Sequence, residues 1–449
     1  MTISPTKQRP ARASTAFVGI AVAMGAGAGS QGLFALLSAR WLPDTQIGAF
    51  FIGLSIVTLV GTFGRLGTEQ LSLRDASPAW SDSDNERFAS VVRTMYRAVV
   101  AGSVIASLLT LAGLGAVAIA FRPAALSSTI EIWLAVPTLV TMNLVTTGGS
   151  LLRSADRLLT SVLYRYLAVF APALAIVAVS VRFDSVPTSP MFAMLVTSTL
   201  VAGFTWRQVF DLINASAPDD SADFGNYRQA AMRLMVSNGL NVALSWSDRI
   251  ILGAIAGTAV VGIYGVAWQL VLPFSLLLVL SNTITSPTFS RLHAADRLGP
   301  LETTARTVSL WMLVAAIATG VGLVLASAPI LSRLGDGFEA AQPIVVILVL
   351  AQIVNLGAGP IGQLYIMSKR DDVLVGVAAV SAAVSVLSTT ALTLGFGPNG
   401  TAAGVAIGLA TKNISLVALA PRLLGVAPVV FLRRQHEPVA QNVLSLLLG

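Results

Sequence analysis

The sequence predicts an all-α polytopic membrane protein whose twelve transmembrane helices form two pseudo-symmetric lobes of six helices each. Only 11% of the 449 residues are charged and 55% are hydrophobic, whereas a soluble domain has about 25% charged residues. Uncharged apolar runs, long enough to cross a bilayer as a helix, recur along the whole chain. These runs are unbroken, whereas a membrane β-barrel needs alternating polar and apolar residues.

The individual helices are predicted from apolar runs bounded by charged or turn-forming residues. The last long run contains GFGPNG, whose glycine, proline and asparagine residues predict a turn between two helices. The predicted spans are 15–39, 47–68, 98–120, 131–151, 158–180, 188–210, 232–248, 257–284, 307–328, 342–366, 373–395 and 402–421. They predict a cytoplasmic tail at 1–14, an N-lobe at 15–213, a polar cytoplasmic linker at 214–231, a C-lobe at 232–421 and a cytoplasmic tail at 422–449.

The first span follows a basic tail, MTISPTKQRPARAS. Its apolar run is longer than the core of a signal peptide and lacks a small-residue cleavage site, so we expect it to remain as the first helix. This helix contains GAGAGSQG, Gly25–Gly32. Such a density of small residues favours close helix packing, and the alternative is a bendable helix that gates a lateral opening.

The basic residues divide unequally between the two predicted sides of the membrane. Most of the 28 Lys and Arg residues lie in the tails and in the loops after even-numbered spans, including Arg153, Arg157 and Arg165 after the fourth span. Because positive residues stay on the cytoplasmic side, we expect a multi-pass membrane protein with both termini in the cytoplasm. The net charge of +7 is then an insertion signal that also attracts anionic membrane lipids, and it requires no nucleic acid partner.

The composition argues against several kinds of active site. The chain has no cysteine, and its two histidines have no partner at metal-ligand spacing, so we expect neither a metal site nor a cofactor. The predicted outer loops are short and offer no carboxylate pair for acid/base chemistry. A membrane glycosyltransferase or polymerase is therefore the less favoured alternative, and we expect that the protein is not an enzyme.

The two halves carry a weak internal repeat. RWLPDTQIGAFFIGLSI, Arg40–Ile56, aligns with AIAGTAVVGIYGVAWQL, Ala254–Leu270, which places Gly48 opposite Gly262. Each segment contains the turn between the first and second span of its half. Chance similarity of small apolar residues is the alternative explanation. A true repeat relates the halves by an axis along the membrane normal, as in transporters whose substrate path runs between two lobes.

Polar side chains recur at helical spacing on four spans, as expected for helices that line a water-filled path. Serine and threonine also bond carbonyls of their own helix or link two helices, so the amide and charged residues are more informative. In the tenth span, Gly359 and Pro360 predict a bend and a freed carbonyl. The stripes are Ser55, Thr58, Thr62, Arg65 and Glu69 in the second span; Asn238, Asn241, Ser245 and Asp248 in the seventh; Gln352, Asn355 and Gln363 in the tenth; and Ser381, Ser385 and Ser388 in the eleventh.

Charged residues inside spans cost about 2.5–3.5 kcal/mol each on insertion scales, and they therefore mark candidate sites. Lys412 lies mid-span with no acidic residue nearby in the sequence, so it faces a cavity, snorkels or pairs with a distant carboxylate. Arg65 and Glu69 have the spacing of an i,i+4 ion pair. Asp248 and Arg249 are the only acidic or basic residues between positions 234 and 290, and they form either a structural ion pair or a ligand contact.

Three segments carry a more specific pattern: LLSARWLPDTQIGAFFIGLSIVTLVGTFGRLGTEQLSLRD, SDRIILGAIAGTAVVGIYGVAWQLVLP and SPTFSRL. In these segments the chain resembles the flippases of polysaccharide biosynthesis. That family belongs to the superfamily that also contains the multidrug and toxic compound extrusion (MATE) antiporters and the lipid II flippases. The positions that match the family pattern are Arg74 in the first segment, and Asp248, Arg249, Gly253, Gly262, Tyr264 and Ala267 in the second.

This resemblance implies a MATE-like fold, alternating access between two lobes, and export of an undecaprenyl-pyrophosphate-linked oligosaccharide. Polysaccharide-synthesis proteins are then a further class of partner. The alternatives are a lipid II flippase, which usually has two additional C-terminal spans, and an ion-coupled antiporter of small molecules. Such an antiporter is expected to have acidic residues in its N-lobe cavity, whereas the deep charges of this chain are mostly basic.

The candidate site residues follow from the chemistry of such a substrate. A pyrophosphate crosses hydrocarbon only where cations and water replace its hydration. The candidate phosphate ligands are Arg65, Lys412, Arg249 and Arg40; the candidate partners of sugar hydroxyls are Asn238, Asn241, Gln352, Asn355 and Gln363; and the candidate ion-coupling carboxylates are Glu69 and Asp248. The roles of Arg65 and Lys412 rest on charge alone, because the family pattern does not include these two positions.

Overall fold

The structure, a computed structural model, describes residues 10–121, 130–183, 189–213, 227–335 and 337–435. Within these ranges the chain is helical and contains no β-strand, which confirms the predicted all-α class. Several predicted regions fall outside the described residues. They are most of the N-tail (1–9), most of the linker (214–226) and the end of the C-tail (436–449).

The described part of the N-terminal half has six segments that run the length of the bundle. The fifth segment, α7 with α8, is interrupted by a π-helical turn at Leu163–Leu167, and a second π-turn at Ser72–Ala76 follows α3. The helices are α1 (Pro10–Trp41), α2 (Asp44–Gly64), α3 (Thr68–Leu71), α4 (Ser77–Ser81), α5 (Asn85–Phe121), α6 (Ile130–Ser154), α7 (Leu158–Val162), α8 (Ala168–Phe183) and α9 (Pro190–Asp211).

The C-terminal half repeats this arrangement with broken helices. The helices are α10 (Arg228–Ala256), α11 (Thr258–Leu270), α12 (Leu272–Ala294), α13 (Leu298–Leu331), α14 (Gln342–Gly357), α15 (Ile361–Met367) and α16 (Asp371–Leu423). α11 with α12, and α14 with α15, each form one membrane-crossing segment. α16 contains two segments, because Gly397 has non-helical angles of φ 58° and ψ −137° that glycine adopts readily.

The two arms of α16 pack against each other as an antiparallel hairpin. A Cβ atom added to Gly404 would lie 2.3 Å from Cα of Thr389, and the Ser388 hydroxyl donates to the Gly404 carbonyl at 3.1 Å. The GFGPNG segment therefore forms the turn that the sequence predicts.

Nine stretches of the described residues are long and apolar enough to cross a membrane. One of them, Asp372–Leu423, contains both arms of the α16 hairpin. α9 and α10 are not among the nine, but both have transmembrane length and pack in the bundle. α10 is less apolar because it carries the predicted stripe from Asn238 to Asp248. Counting these helices and both arms of the hairpin confirms the twelve predicted spans.

The two ends of the bundle differ in how the lobes meet. We call the end that carries the α1–α2 turn, residues 41–44, the turn end, and the opposite end the terminal end. At the turn end both halves share one hydrophobic core, which includes Phe51 of α2 and Tyr264 of α11. At the terminal end the halves have separate cores, one around Phe88 and one around Tyr365. The lobes are thus joined more closely at the turn end.

Glycines at the turn end bring the backbones of the two lobes into contact. A Cβ atom on Gly48 would lie 1.6 Å from the carbonyl oxygen of Thr258, and one on Gly262 would lie 2.5 Å from that of Asp44. Small residues permit such close approach of membrane helices. The two glycines that the internal repeat aligns therefore face each other across the lobe interface.

The predicted bend of the tenth span is a complete break. α14 ends at Gly357, and α15 begins after Gly359, which has φ 67°, and Pro360. The carbonyl freed by the break is that of Gly357, and the Ser309 hydroxyl of α13 donates to it at 2.7 Å. A side chain of the neighbouring helix thus satisfies the Gly357 carbonyl at the break, while the Leu356 carbonyl, to which Pro360 cannot donate, accepts from the Gly359 N–H at 2.8 Å.

Candidate functional site

A cavity of about 200 Å³ lies between the two lobes, toward the terminal end. Its walls are formed by α2 and the turn after it, by α3, by the π-turn between α7 and α8, and by α10. The lining residues are Thr62, Arg65, Gly67, Glu69, Gln70, Arg165, Asn238, Asn241 and Val242. The structure therefore brings together four residues that the sequence predicts separately on two spans: Arg65 and Glu69 from one lobe, Asn238 and Asn241 from the other.

A helix break, absent from the sequence prediction, positions the charges of α2. The predicted stripe assumes one helix through Glu69, but α2 ends at Gly64 and the chain turns at Leu66 and Gly67, whose φ values are 49° and 71°. The Arg65 Nε and Glu69 Oε2 atoms are 3.9 Å apart. The ion pair expected from the i,i+4 spacing is therefore present, but it spans a turn that places Glu69 on the separate helix α3.

Arg165 provides the second basic group of the cavity. Its Nη1 atom donates to Glu69 Oε1 at 2.7 Å, a direct ion pair between two segments of the N-lobe. Arg165 lies in the π-turn, a local widening of a helix that is common at functional sites. The Arg65, Glu69 and Arg165 side chains keep 16%, 18% and 34% of their surface exposed, so ligands in the cavity can reach them.

Arg65 is held in place by uncharged partners as well as by Glu69. Its Nη1 atom donates to Asn143 Oδ1 at 3.0 Å, and its Nη2 atom donates to the Thr62 hydroxyl at 2.9 Å. The buried Asn143 is fixed in turn, because its amide donates to the Ser103 hydroxyl at 2.9 Å. These bonds orient the guanidinium group before any ligand binds.

The C-lobe supplies an ammonium group next to the cavity wall. Lys412 Nζ donates to Oδ1 of the cavity residue Asn241 at 2.7 Å. Asn241 is itself anchored, because its amide donates to the Ser237 carbonyl at 2.9 Å. Lys412 thus points toward α10 in the protein interior and does not snorkel to an interface.

A chain of amides continues from α14 to the last arm of α16. The Asn413 amide donates to Asn355 Oδ1 at 2.9 Å, and the Asn355 amide donates to Gln352 Oε1 at 3.0 Å. Asn413 directly follows Lys412, so this chain and the ammonium group share one region of the C-lobe. Gln363 lies apart from it on α15, where its Oε1 atom accepts from the Ser286 hydroxyl at 3.3 Å.

Asp248 and Arg249 form a separate, buried cluster. The side chains are 1% and 5% exposed, and their closest approach is 3.1 Å. The Tyr264 hydroxyl and the Trp268 Nε1 donate to Asp248 Oδ2 at 2.7 and 2.9 Å. The Arg249 guanidinium lies 4.6 Å from the ring centre of Trp246 and 5.0 Å from that of Trp268. The sequence left two alternatives for Asp248 and Arg249, a structural ion pair or a ligand contact. The contacts seen here are those of a structural ion pair.

Asp248 does not lie at the end of its helix, where the predicted span 232–248 places it. α10 continues to Ala256 because residues 250–256, after Arg249, are apolar and remain helical. Asp248 therefore lies about 10 Å along α10 from Asn241, at a rise of about 1.5 Å per residue. Arg40 is also distant from the cavity lining, because it lies exposed in the last turn of α1.

The hydroxyl stripes mostly serve the helices themselves. Ser55 and Thr58 of α2 donate to the carbonyls of Phe51 and Leu54, each at 2.8 Å. In α16, the Ser385 hydroxyl donates to the Leu244 carbonyl of α10 at 3.4 Å and so links two helices. These are the structural roles that the sequence leaves open for serine and threonine.

The glycines of α1 have two different surroundings. A Cβ atom on Gly27 would lie 2.5 Å from Cβ of Tyr166, so α1 packs tightly against the π-turn that holds Arg165. Among the described residues, nothing from another segment lies within 4 Å of a Cβ atom built on Gly25 or Gly29. One face of this helix therefore shows the close packing that small residues favour, while the other face is open.

Sequence reasoning missed the lining residues Arg165 and Gln70, and it missed Asn143, which holds Arg65. Arg165 follows Arg153 and Arg157 in the sequence, so it counted among the basic residues of a cytoplasmic loop. The π-turn that directs it toward Glu69 has no local sequence signal. Asn143 lies between threonines of α6 and becomes noticeable only because it contacts Arg65.

The arrangement is suited to binding an anion next to hydroxyl groups. Two guanidinium groups can form paired hydrogen bonds with phosphate oxygens, and the neighbouring amides both donate and accept. In the described part of the chain, no group of three or more His, Asp or Glu residues is placed to hold a metal ion. The cavity is smaller than the 300–1,000 Å³ that is typical of ligand pockets, so a large ligand requires the lobes to separate.

Sequence comparison relates residues 17–293 to the family described as polysaccharide biosynthesis protein. A curated relative, the probable flippase AglR of Haloferax volcanii, is 32% identical over 213 residues. This alignment covers 46% of the present chain and 43% of that protein. The chain therefore matches less than half the length of this relative.

Structural comparison finds the same fold in known transporters. An inward-facing multidrug resistance MATE family transporter of the MOP superfamily superposes with a TM-score of 0.66 and 14% identity, over 90% of this chain and 98% of the other. The lipid II flippase MurJ, in an inward closed conformation, gives a TM-score of 0.64 and 14% identity, over 89% of this chain and 86% of the other. These likenesses confirm the MATE-like architecture.

Proposed function

The chain belongs to the polysaccharide biosynthesis protein family, and from this premise we propose that it is a flippase for a polyprenyl-pyrophosphate-linked oligosaccharide. In this proposal the two lobes alternate access to the interlobe cavity across the bacterial inner membrane. Membrane lipids surround the protein, and the lipid that holds the oligosaccharide is of the undecaprenyl pyrophosphate type. Polysaccharide-synthesis proteins are functional partners of the flippase. The chain acts as a transporter and not as an enzyme.

The observation that carries this proposal is the basic interlobe cavity. A pyrophosphate pays a prohibitive desolvation cost in hydrocarbon, and guanidinium groups compensate its charge through paired hydrogen bonds. Arg65 and Arg165 line the cavity from the N-lobe, and Lys412 contacts its C-lobe wall through Asn241. An anion placed between these groups contacts both lobes and so favours their association, which is what a carrier requires for ligand-dependent alternation.

The amides beside the cavity support recognition of a sugar. Asn238 and Asn241 line the cavity directly, and Asn355 with Gln352 extends a chain of amides into the C-lobe. Amide groups donate and accept hydrogen bonds, as sugar hydroxyls also do. We assign the amides to the first sugars of the oligosaccharide, and Arg65, Arg165 and Lys412 to the diphosphate.

The proposed orientation places the terminal end in the cytoplasm. Arg74, Arg153, Arg207, Arg297 and Arg370 all lie at this end, and the positive-inside rule assigns such an end to the cytoplasm. The cavity lies toward the same end, where the cores of the two lobes are separate. In this proposal the glycolipid enters the cavity from the inner leaflet, where its sugar head group faces the cytoplasm after synthesis.

An ion-coupled antiporter of small molecules is the second candidate, and the likeness to a multidrug transporter favours it. That likeness is one of fold, whereas the cavity has two arginines and one carboxylate, Glu69, among its lining residues. An excess of positive charge suits an anionic substrate better than the cations that such antiporters carry. Of the two carboxylates considered for ion coupling, Asp248 is enclosed by its own cluster, and Glu69 alone lines the cavity.

Reconstitution tests the proposed function. The purified protein is placed in liposomes that carry a labelled undecaprenyl-pyrophosphate-linked oligosaccharide, and the fraction accessible to an external glycosidase is followed. We expect protein-dependent transfer of the label between leaflets. Transport of a cationic dye along an ion gradient without glycolipid transfer would support the antiporter instead, and transfer of lipid II alone would support the lipid II flippase.

A further inference from the structure

Glu69 occupies the position between the two arginines that an anionic ligand is expected to take. Its carboxylate contacts Arg165 at 2.7 Å and lies 3.9 Å from Arg65. All three side chains line the cavity and keep part of their surface exposed. An internal anion thus already pairs with both guanidinium groups.

The segment that carries Glu69 is separated from the helix that carries Arg65. The turn at Leu66 and Gly67 lies between them, and Leu66 adopts the left-handed conformation that is disfavoured for residues with a Cβ atom. α3 has only four residues, and a second irregular turn, Ser72–Ala76, follows it. Strained and irregular segments of this kind occur at switch regions, so Glu69 is placed on a segment suited to rearrangement.

The same segment contacts the opposite lobe. A Cβ atom on Gly67 would lie 2.8 Å from the carbonyl oxygen of Ala231 in α10, and 3.2 Å from Cβ of Leu234. Any displacement of Glu69 that moves this turn therefore changes a contact between the two lobes. Glu69, which forms the ion pair, is only two residues along the chain from Gly67, which contacts the opposite lobe.

The surroundings of the ion pair retain unused polar groups. Gln70 lines the cavity, and its buried Oε1 atom has no hydrogen-bond partner among the described residues. The buried Nε atom of Arg153, in the last turn of α6, has none within the described ranges either. Two arginines therefore share one carboxylate, and they retain the capacity to bind a group with more negative charge.

We propose that Glu69 is an internal counter-ion that competes with the ligand diphosphate for Arg65 and Arg165. Binding of the diphosphate displaces the carboxylate, moves the turn at Leu66 and Gly67, and changes the contact of this turn with α10. Release of the ligand lets Glu69 return to the arginines, which prevents the product from rebinding. This inference rests on the proposed function, because it assigns a role to a residue within the same anion site.

Binding of inorganic pyrophosphate to the purified protein tests the counter-ion directly. Glu69→Gln keeps the size of the side chain and removes its charge, so we expect the affinity for pyrophosphate to rise by about tenfold, within the usual range of coupling between two ligands. Glu69→Ala is also expected to raise the affinity for pyrophosphate. It replaces Glu69→Gln in the test if the glutamine variant does not purify as a folded protein. Isothermal titration calorimetry in detergent measures the affinity.

Asp372→Asn is the matched control. Asp372 is also a carboxylate at the terminal end, its side chain is 72% exposed, and it pairs with Arg370 at 3.6 Å. This variant removes the same charge without touching the cavity, so its pyrophosphate affinity is expected to equal that of the wild type. An equal rise in both variants would indicate a general charge effect and would overturn the counter-ion role.

The binding assay separates this inference from the proposed function because it needs neither glycan nor bilayer. If Glu69→Gln binds pyrophosphate no better than the wild type, or does not bind it, the counter-ion role is wrong even where glycolipid transfer is observed. If the variant binds more tightly while reconstituted protein transfers no glycolipid, the counter-ion role stands and the proposed cargo is wrong.

Discussion

Replacing Arg65 with glutamine is expected to reduce glycolipid transfer by about two orders of magnitude, because loss of one partner of a buried charge interaction costs about 2–5 kcal/mol. Arg65 is the guanidinium that Asn143 and Thr62 hold toward the cavity, so the neutral variant removes an oriented phosphate ligand. Transfer in reconstituted liposomes and abundance in the membrane are measured together. Abundance is expected to remain near that of the wild type.

Lys412→Met is expected to have a comparable effect from the other lobe. It removes the ammonium group that donates a hydrogen bond to Asn241, while the methionine side chain retains most of the packing volume. Arg333→Gln serves as a control for both variants, because Arg333 is exposed at the turn end and lies outside the cavity lining. If either cavity variant transfers the glycolipid as fast as the control, that residue is not part of the phosphate site.

The second large effect is expected at the lobe interface, where Gly48→Leu should abolish transfer and destabilise the protein. A Cβ atom there would lie 1.6 Å from the Thr258 carbonyl oxygen, so the backbones of α2 and α11 must separate. Overpacking of a tight contact costs about 1–3 kcal/mol, and the turn end would no longer close in the form seen here. Thermal unfolding in detergent and transfer in liposomes measure the two consequences.

Gly113→Leu is the control for the glycine substitution. Gly113 lies on α5, and a Cβ atom built on it has no neighbour within 4 Å in the part of the chain that the structure describes. We expect this variant to unfold at the wild-type temperature and to retain transfer. A Gly48→Leu protein that behaves in the same way would show that closure of the turn end does not depend on this contact.

Features of the fold that depend on local composition could be predicted from the sequence. Apolar runs specify spans because lipid accepts only helices whose backbone groups bond internally. GFGPNG combines residues that disfavour helix, and Gly397 indeed reverses the chain. Gly359 and Pro360 likewise predict the break between α14 and α15, because proline removes a donor and clashes with the preceding turn.

Features that depend on packing between distant segments could not be predicted. The break at Leu66 places a leucine in a conformation that its own sequence does not favour, and contact with α10 accompanies it. The π-turn that directs Arg165 toward Glu69 arises where α1 packs against Tyr166. Residue types and helical spacing identified half of the cavity, but the partner of Glu69 is 96 residues away in sequence.

The central claim is that water and polar ligands reach the surface between the lobes, and cysteine labelling tests it most directly. The natural chain has no cysteine, so single substitutions report without background. Asn238→Cys is placed in the cavity wall, and Leu325→Cys is placed on α13, where the leucine is 74% exposed on an apolar span. Both variants are treated with a membrane-impermeant thiol reagent in inside-out vesicles. We expect the cysteine at 238 to react with the reagent, and we expect pyrophosphate to slow this reaction. The cysteine at 325 is expected to remain unmodified. A cysteine at 238 that is as unreactive as the one at 325 would contradict the account.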